Sequence, residues 1–149
     1  METETMEIDF SRKLRLLVVD DVAVHRFLLV SGLGRINPFM VVEEACSASE
    51  AMDKLGGEER YDAVVCDWLM PDGSGEDLLR WMRARPHFKR VPFIMVSGRN
   101  SNQEIIEAFM GLGVDGYVVK PFMPRDVYRK VVDTIAKMAG KNDARKNSG

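Results

Sequence analysis

The chain has 149 residues, 46% hydrophobic and 30% charged, with 12 Gly and 6 Pro; these values fit a globular protein with one core and exclude disordered and collagen-like classes. Its 21 basic and 23 acidic side chains leave a formal net charge of −2, which excludes a generally basic surface for gripping nucleic-acid phosphates and gives no footing for a polybasic membrane mode.

In chain order, residues 14–19 form a short apolar, β-branched run that stops at Asp20-Asp21, as a buried strand stops at a polar edge. A helix is expected from Val22 to about Gly34, where Gly32, Gly34 and Asn37-Pro38 mark its end. Residues 40–45 read as a second strand, and Ser47-x-x-Glu50 has the capping-box form for a helix that closes at Gly56-Gly57. The third strand is 62–67. After the turn Pro71-Asp72-Gly73, Ser74-x-x-Asp77 caps a helix whose apolar face is Leu78, Leu79 and Met82. Residues 92–97 are a fourth strand, Ser101-x-x-Glu104 opens a fourth helix, and 115–120 are a fifth strand. Pro124 starts a last helix through Met138, and a polar tail follows. Five strand-helix units imply a doubly wound α/β fold with a five-stranded parallel sheet, because parallel neighbours need crossovers and apolar strands need cover on both faces.

In such sheets ligands bind outside the carboxyl ends of the strands. Four of those ends carry polar groups: Asp20-Asp21, Asp67, Ser97 and Lys120. The second strand ends at Glu44-Ala45-Cys46 and adds little. Carboxylates about 4 Å apart repel by roughly 4 kcal/mol per pair at an effective dielectric near 20, so three at one edge call for a cation. Mg2+ fits best, since it takes few carboxylates and leaves positions for phosphate oxygens. Asp67 is then a nucleophile toward a phosphoryl group, with Lys120 and Ser97 serving its oxygens by charge and hydrogen bond, and no base is needed.

Four segments carry a family resemblance: Leu17-Val18-Val19-Asp20-Asp21, Cys66-Asp67-Trp68-Leu69-Met70-Pro71, Met95-Val96-Ser97-Gly98 and Gly116-Tyr117-Val118-Val119-Lys120-Pro121-Phe122. In this order, each at a strand end, they resemble the response-regulator receiver domains. The resemblance implies a (βα)5, flavodoxin/CheY-like domain over residues 14–138, with a polar extension at 1–13 and a polar tail at 139–149. It implies that Asp67 accepts a phosphoryl group from a histidine kinase or phosphotransfer protein. Asp21, Asp67 and the Leu69 backbone carbonyl then ligate Mg2+ while Asp20 holds it through water, and Ser97, Gly98 and Lys120 contact the phosphoryl group. It also implies a Ser97/Tyr117 switch pair, a cis Lys120-Pro121 bond, and no turnover chemistry beyond the protein's own phosphorylation and dephosphorylation. A downstream protein would read the face of the fourth helix, fifth strand and fifth helix, including Ile105, Phe109, Tyr117, Val127 and Tyr128.

Two positions depart from the chemotaxis-type pattern. Leu69 replaces a side-chain amide that orients water, and Arg99 replaces an acid, so a slower loss of the phosphoryl group is expected. On residue chemistry alone Tyr117 reads first as packing, and Arg83, Arg85, Lys89 and Arg90 read as a solvated basic face. The alternatives are a receiver fragment of a longer transcription regulator, for which the residues after Gly140 leave no helix-turn-helix, and an aspartate-nucleophile phosphatase, which expects an acid where Leu69 stands. The apolar runs fall short of the roughly 18 residues needed to span a bilayer. Residues 1–10 lack the basic-then-apolar form of an export signal, and Cys46 and Cys66 lack metal-ligand spacing. A cytoplasmic setting is therefore expected, with no membrane insertion and no direct nucleic-acid contact.

Overall fold

The computed structural model describes residues 13–70, 75–98, 106–107 and 110–148, with side chains through 140. The strands are β1 (Arg15–Val19), β2 (Val41–Ala45), β3 (Ala63–Asp67), β4 (Phe93–Ser97) and β5 (Gly116–Val119). The helices are α1 (Ala23–Ile36), α2 (Ala48–Leu55), α3 (Gly75–Arg83) and a C-terminal helix, Pro124–Ser148. The Pro71–Ser74 turn and cap, Arg99, the Ser101–Glu104 helix start, Ile105 and Phe109 lie outside the described residues; 106, 107, 110 and 111 are helical.

All strand pairs are parallel, in the order β2-β1-β3-β4-β5. The chain therefore winds outward in both directions from β1, and the reversal opens a crevice at the carboxyl ends of β1 and β3. Alternation along each strand splits the core in two. Leu17, Val19, Val64, Cys66 and Met95 pack with Leu55, Leu78 and Met82 of α2 and α3. Leu16, Val18, Val65, Ile94 and Val96 pack with Leu29 and Leu33 of α1 and with Val127, Tyr128 and Val131 of the C-terminal helix.

Local chemistry explains the element ends. Ser47 Oγ accepts the Glu50 N–H at 3.1 Å, and the Glu50 carboxylate reaches back to the Cys46 N–H at 2.6 Å, so the capping box closes one residue earlier than its usual form. α1 runs past Gly34 to Ile36 and stops at Asn37, whose side chain accepts the Phe39 N–H and faces the Tyr128 hydroxyl. Gly32 does not end this helix. A Cβ there would overlap the Pro124 side chain, so the glycine admits the C-terminal helix.

Three further expectations need correction. The C-terminal helix does not stop near Met138 but continues to Ser148; Gly140 alone costs only about 1 kcal/mol, and the polar residues beyond it end the apolar pattern without opposing helix. Val127 is fully buried and Tyr128 nearly so, because they pack under α1, and a partner cannot read them at the surface. The basic run is not one solvated face. Arg83 turns inward onto Gly113, Phe88, Val91 and Asp115, and Arg85 lies 4.2 Å from the centre of the Trp81 ring.

Candidate phosphoacceptor site

β1, β3 and β4 end side by side, and the register that pairs Val19 with Cys66 and Asp67 with Val96 brings their terminal polar residues to one edge. Asp20, Asp21 and Asp67 each offer a carboxylate oxygen, and these atoms all lie within 4.8 Å of one another. Asp20 and Asp67 are buried, while Asp21 is exposed. Lys120, following β5, donates from Nζ to Asp67 Oδ2 at 3.0 Å. The other Asp67 oxygen accepts the Leu69 N–H at 3.3 Å.

The trio carries its own electrostatic strain. Burial pushes the Asp20 carboxyl above its ordinary range and the charge of Asp67 pushes the same way, while the Val22 N–H, bound to Asp20 Oδ1 at 2.9 Å, and Lys120 oppose them. One lysine against three carboxylates leaves excess negative charge. Hard oxygen donors with surplus charge and an open outer side suit a Mg2+ site.

Ser97 closes the edge at the end of β4. The residue is 3% exposed, and among the described residues its Oγ is buried without a hydrogen-bond partner. An unsatisfied buried hydroxyl costs about 1–3 kcal/mol unless a ligand completes it. Space for one is present: a Cβ built on Gly98 meets nothing within 4 Å. A cavity of about 420 Å³ is lined by Asp20, Asp67 and Lys120 together with Leu28, Leu29 and Phe122. The Lys120-Pro121 bond is cis.

The sequence-derived residues do not all converge. Asp20, Asp21, Asp67 and Lys120 meet, with Ser97 on the adjoining strand end. Leu69 lies at the edge and is 77% exposed. Tyr117 is half-buried on β5, opposite Met95, and packs on the core shared with α2 and α3. The end of β2, read as adding little, does contribute: Glu44 Oε1 accepts from Arg26 Nε at 3.0 Å, and Arg26 Nη1 donates to the Asp20 carbonyl at 2.6 Å. A basic residue in the first turns of a helix, where acids are favoured, was the available signal.

The sequence matches the response regulator receiver domain over residues 16–132. The chain belongs to the response regulator receiver domain family. It is 36% identical over 118 residues to the chemotaxis protein CheY1 of Helicobacter pylori, covering 79% of this chain and 94% of that one. It is 34% identical over 131 residues to a CheY homolog of Campylobacter jejuni, covering 88% and 99%. Among solved structures, a CheY-like receiver domain protein from Methanospirillum hungatei superposes with a TM-score of 0.74 at 27% identity, covering 87% of this chain and 99% of that one. The receiver is a signalling module of the CheY-like (βα)5 fold, a family whose members are phosphorylation switches rather than turnover enzymes. No helix among the described residues is long and apolar enough to cross a membrane.

Proposed function

We propose that this receiver is the phosphorylation-controlled switch of a two-component phosphorelay, with Asp67 as phosphoacceptor. The observation that carries this reading is the meeting of three carboxylates with Lys120, which is seated directly on Asp67. The donor is a histidine kinase or phosphotransfer protein. An Asp67 oxygen attacks phosphorus, the O–P bond forms, the N–P bond of the donor's phosphohistidine breaks, and the electron pair leaves on the imidazole nitrogen.

Bound Mg2+ supplies positive charge that offsets the trio and the phosphoryl oxygens. Asp21, Asp67 and the Leu69 backbone carbonyl are its direct ligands in this reading, and Asp20 reaches it through water. Lys120 bridges from Asp67 to a phosphoryl oxygen. The Ser97 hydroxyl donates to another, gaining the partner it lacks, and Gly98 keeps the approach open. Movement of Ser97 toward the phosphoryl group draws Tyr117 inward, which changes the face around β5 that a downstream protein reads. Similarity to CheY1 and its homolog supports a receiver acting through protein contacts, and motility is one pathway it fits.

Incubation with acetyl phosphate tests the chemistry. Incorporated phosphoryl should require Mg2+, disappear with a chelator, and be released by hydroxylamine as an acyl phosphate is. Metal-independent, hydroxylamine-stable incorporation contradicts the reading.

A further inference from the structure

We propose that Arg26 is a positioning residue for the cation site, holding the Asp20-Asp21 segment in its metal-binding arrangement without touching the metal. The inference rests on the reading of the trio as a Mg2+ site.

Asp20 and Asp21 are consecutive, so the peptide plane between them sets how both carboxylates are presented. That plane is fixed by its carbonyl, which accepts from Arg26 Nη1 at 2.6 Å, a short, charge-assisted hydrogen bond. The guanidinium is itself fixed: Nε donates to Glu44 Oε1 at 3.0 Å, and the side chain is only 17% exposed. Glu44 is held in turn, because its carbonyl accepts from Lys54 Nζ of α2 at 2.5 Å. The Asp20 N–H donates to the Ala45 carbonyl at 3.1 Å, and Asp20 Oδ1 accepts the Val22 N–H. α2, the end of β2, the first turns of α1 and the end of β1 thus form one brace that closes on the Asp20 peptide.

Two effects of Arg26 on a bound cation oppose each other. Its charge, on a guanidinium bound to the Asp20 carbonyl, works against the metal through space. Its hydrogen bond organises two carboxylates before the metal arrives, which favours binding. Glu44 offsets the charge while leaving the hydrogen bond in place, so positioning prevails. The sign of the change on removing the guanidinium separates the two effects.

The test is Mg2+ affinity of the full chain, measured by competition with Mn2+, whose free ion is counted by paramagnetic resonance, beside thermal melts in chelator. Arg26→Gln should weaken Mg2+ binding about tenfold, the loss expected for a hydrogen bond from a charged group. Arg26→Lys, which keeps the charge but not the fork, should fall between Arg26→Gln and the unsubstituted protein, and it serves if Arg26→Gln does not fold. Unchanged or tighter Mg2+ binding in both variants overturns the proposal, even if their metal-free melting temperatures fall, since that pattern is a purely structural tie. Failure of the unsubstituted receiver to bind either ion would instead sink the reading of the trio.

Discussion

At the amino end of β4, Arg83 donates five hydrogen bonds, to the Gly113, Phe88 and Val91 carbonyls and to Asp115, and the same Asp115 oxygen accepts the Phe93 N–H at 2.8 Å. At the carboxyl end of the same strand, the Ser97 hydroxyl is buried with no partner among the described residues, beside three carboxylates that share one lysine. One strand therefore carries a completed polar network at one end and an incomplete one at the other. Both burials cost desolvation. Only the first recovers it inside the resting protein, so the first serves stability and the second awaits a ligand.

The contrast predicts substitutions of opposite sign. Arg83→Ala takes the guanidinium away from Asp115, which keeps the Phe93 N–H, and from three carbonyls, of which that of Phe88 keeps the Val91 N–H; it should cost about 3–5 kcal/mol, read as a lower urea midpoint, while the folded protein still takes up phosphoryl. A loss under about 1 kcal/mol would show the network to be ornamental. Ser97→Ala should do the reverse, stabilising the resting protein by about 1 kcal/mol through loss of an unsatisfied hydroxyl and slowing phosphoryl uptake from acetyl phosphate. A clear destabilisation would mean that the hydroxyl already has a partner.

Smaller effects sharpen the site end of the comparison. Leu69 is exposed beside Asp67 and cannot orient water, so Leu69→Asn should shorten the phosphoryl lifetime several-fold, about 1 kcal/mol in barrier, with the urea midpoint unmoved. An unchanged lifetime removes Leu69 from the account of slow decay. Asp20 gives a pH dependence in the metal-free protein. Burial, aided by Asp67, raises its carboxyl pKa, so the folded state holds this proton more tightly than the unfolded chain. Stability should fall as pH rises from the ordinary carboxylate range through that raised value. Asp20→Asn should remove this loss, making its melting temperature higher than that of the unsubstituted protein above the window and bringing the two curves together below it. Parallel curves would contradict the assignment.

How far the sequence discloses this arrangement depends on how local each signal is. The strands and their polar ends were legible because β-branched runs closing on Asp20, Asp67, Ser97 or Lys120 combine periodicity with position, and parallel topology then puts those ends on one edge. Ser47 and Glu50 announced their helix start within four residues. The Arg83 network was hidden, since its partners lie from 5 to 32 residues away and a basic run looks the same whether solvated or turned inward. Arg26 was hidden for the same reason: its meaning depends on Glu44, 18 residues away on the neighbouring strand's end. Val127 and Tyr128 were misplaced on the surface because the apolar pattern of the last helix does not say which side α1 covers, and Gly32, whose bare Cα admits Pro124, reads as a helix end until that neighbour is known.

The most direct test of the claim that the incomplete edge exists to receive a phosphoryl group is intact mass after exposure to acetyl phosphate and Mg2+, for the unsubstituted receiver and for Asp67→Ala. One added phosphoryl group on the former and none on the latter is the predicted result. Equal modification of both, or none on either, would contradict it.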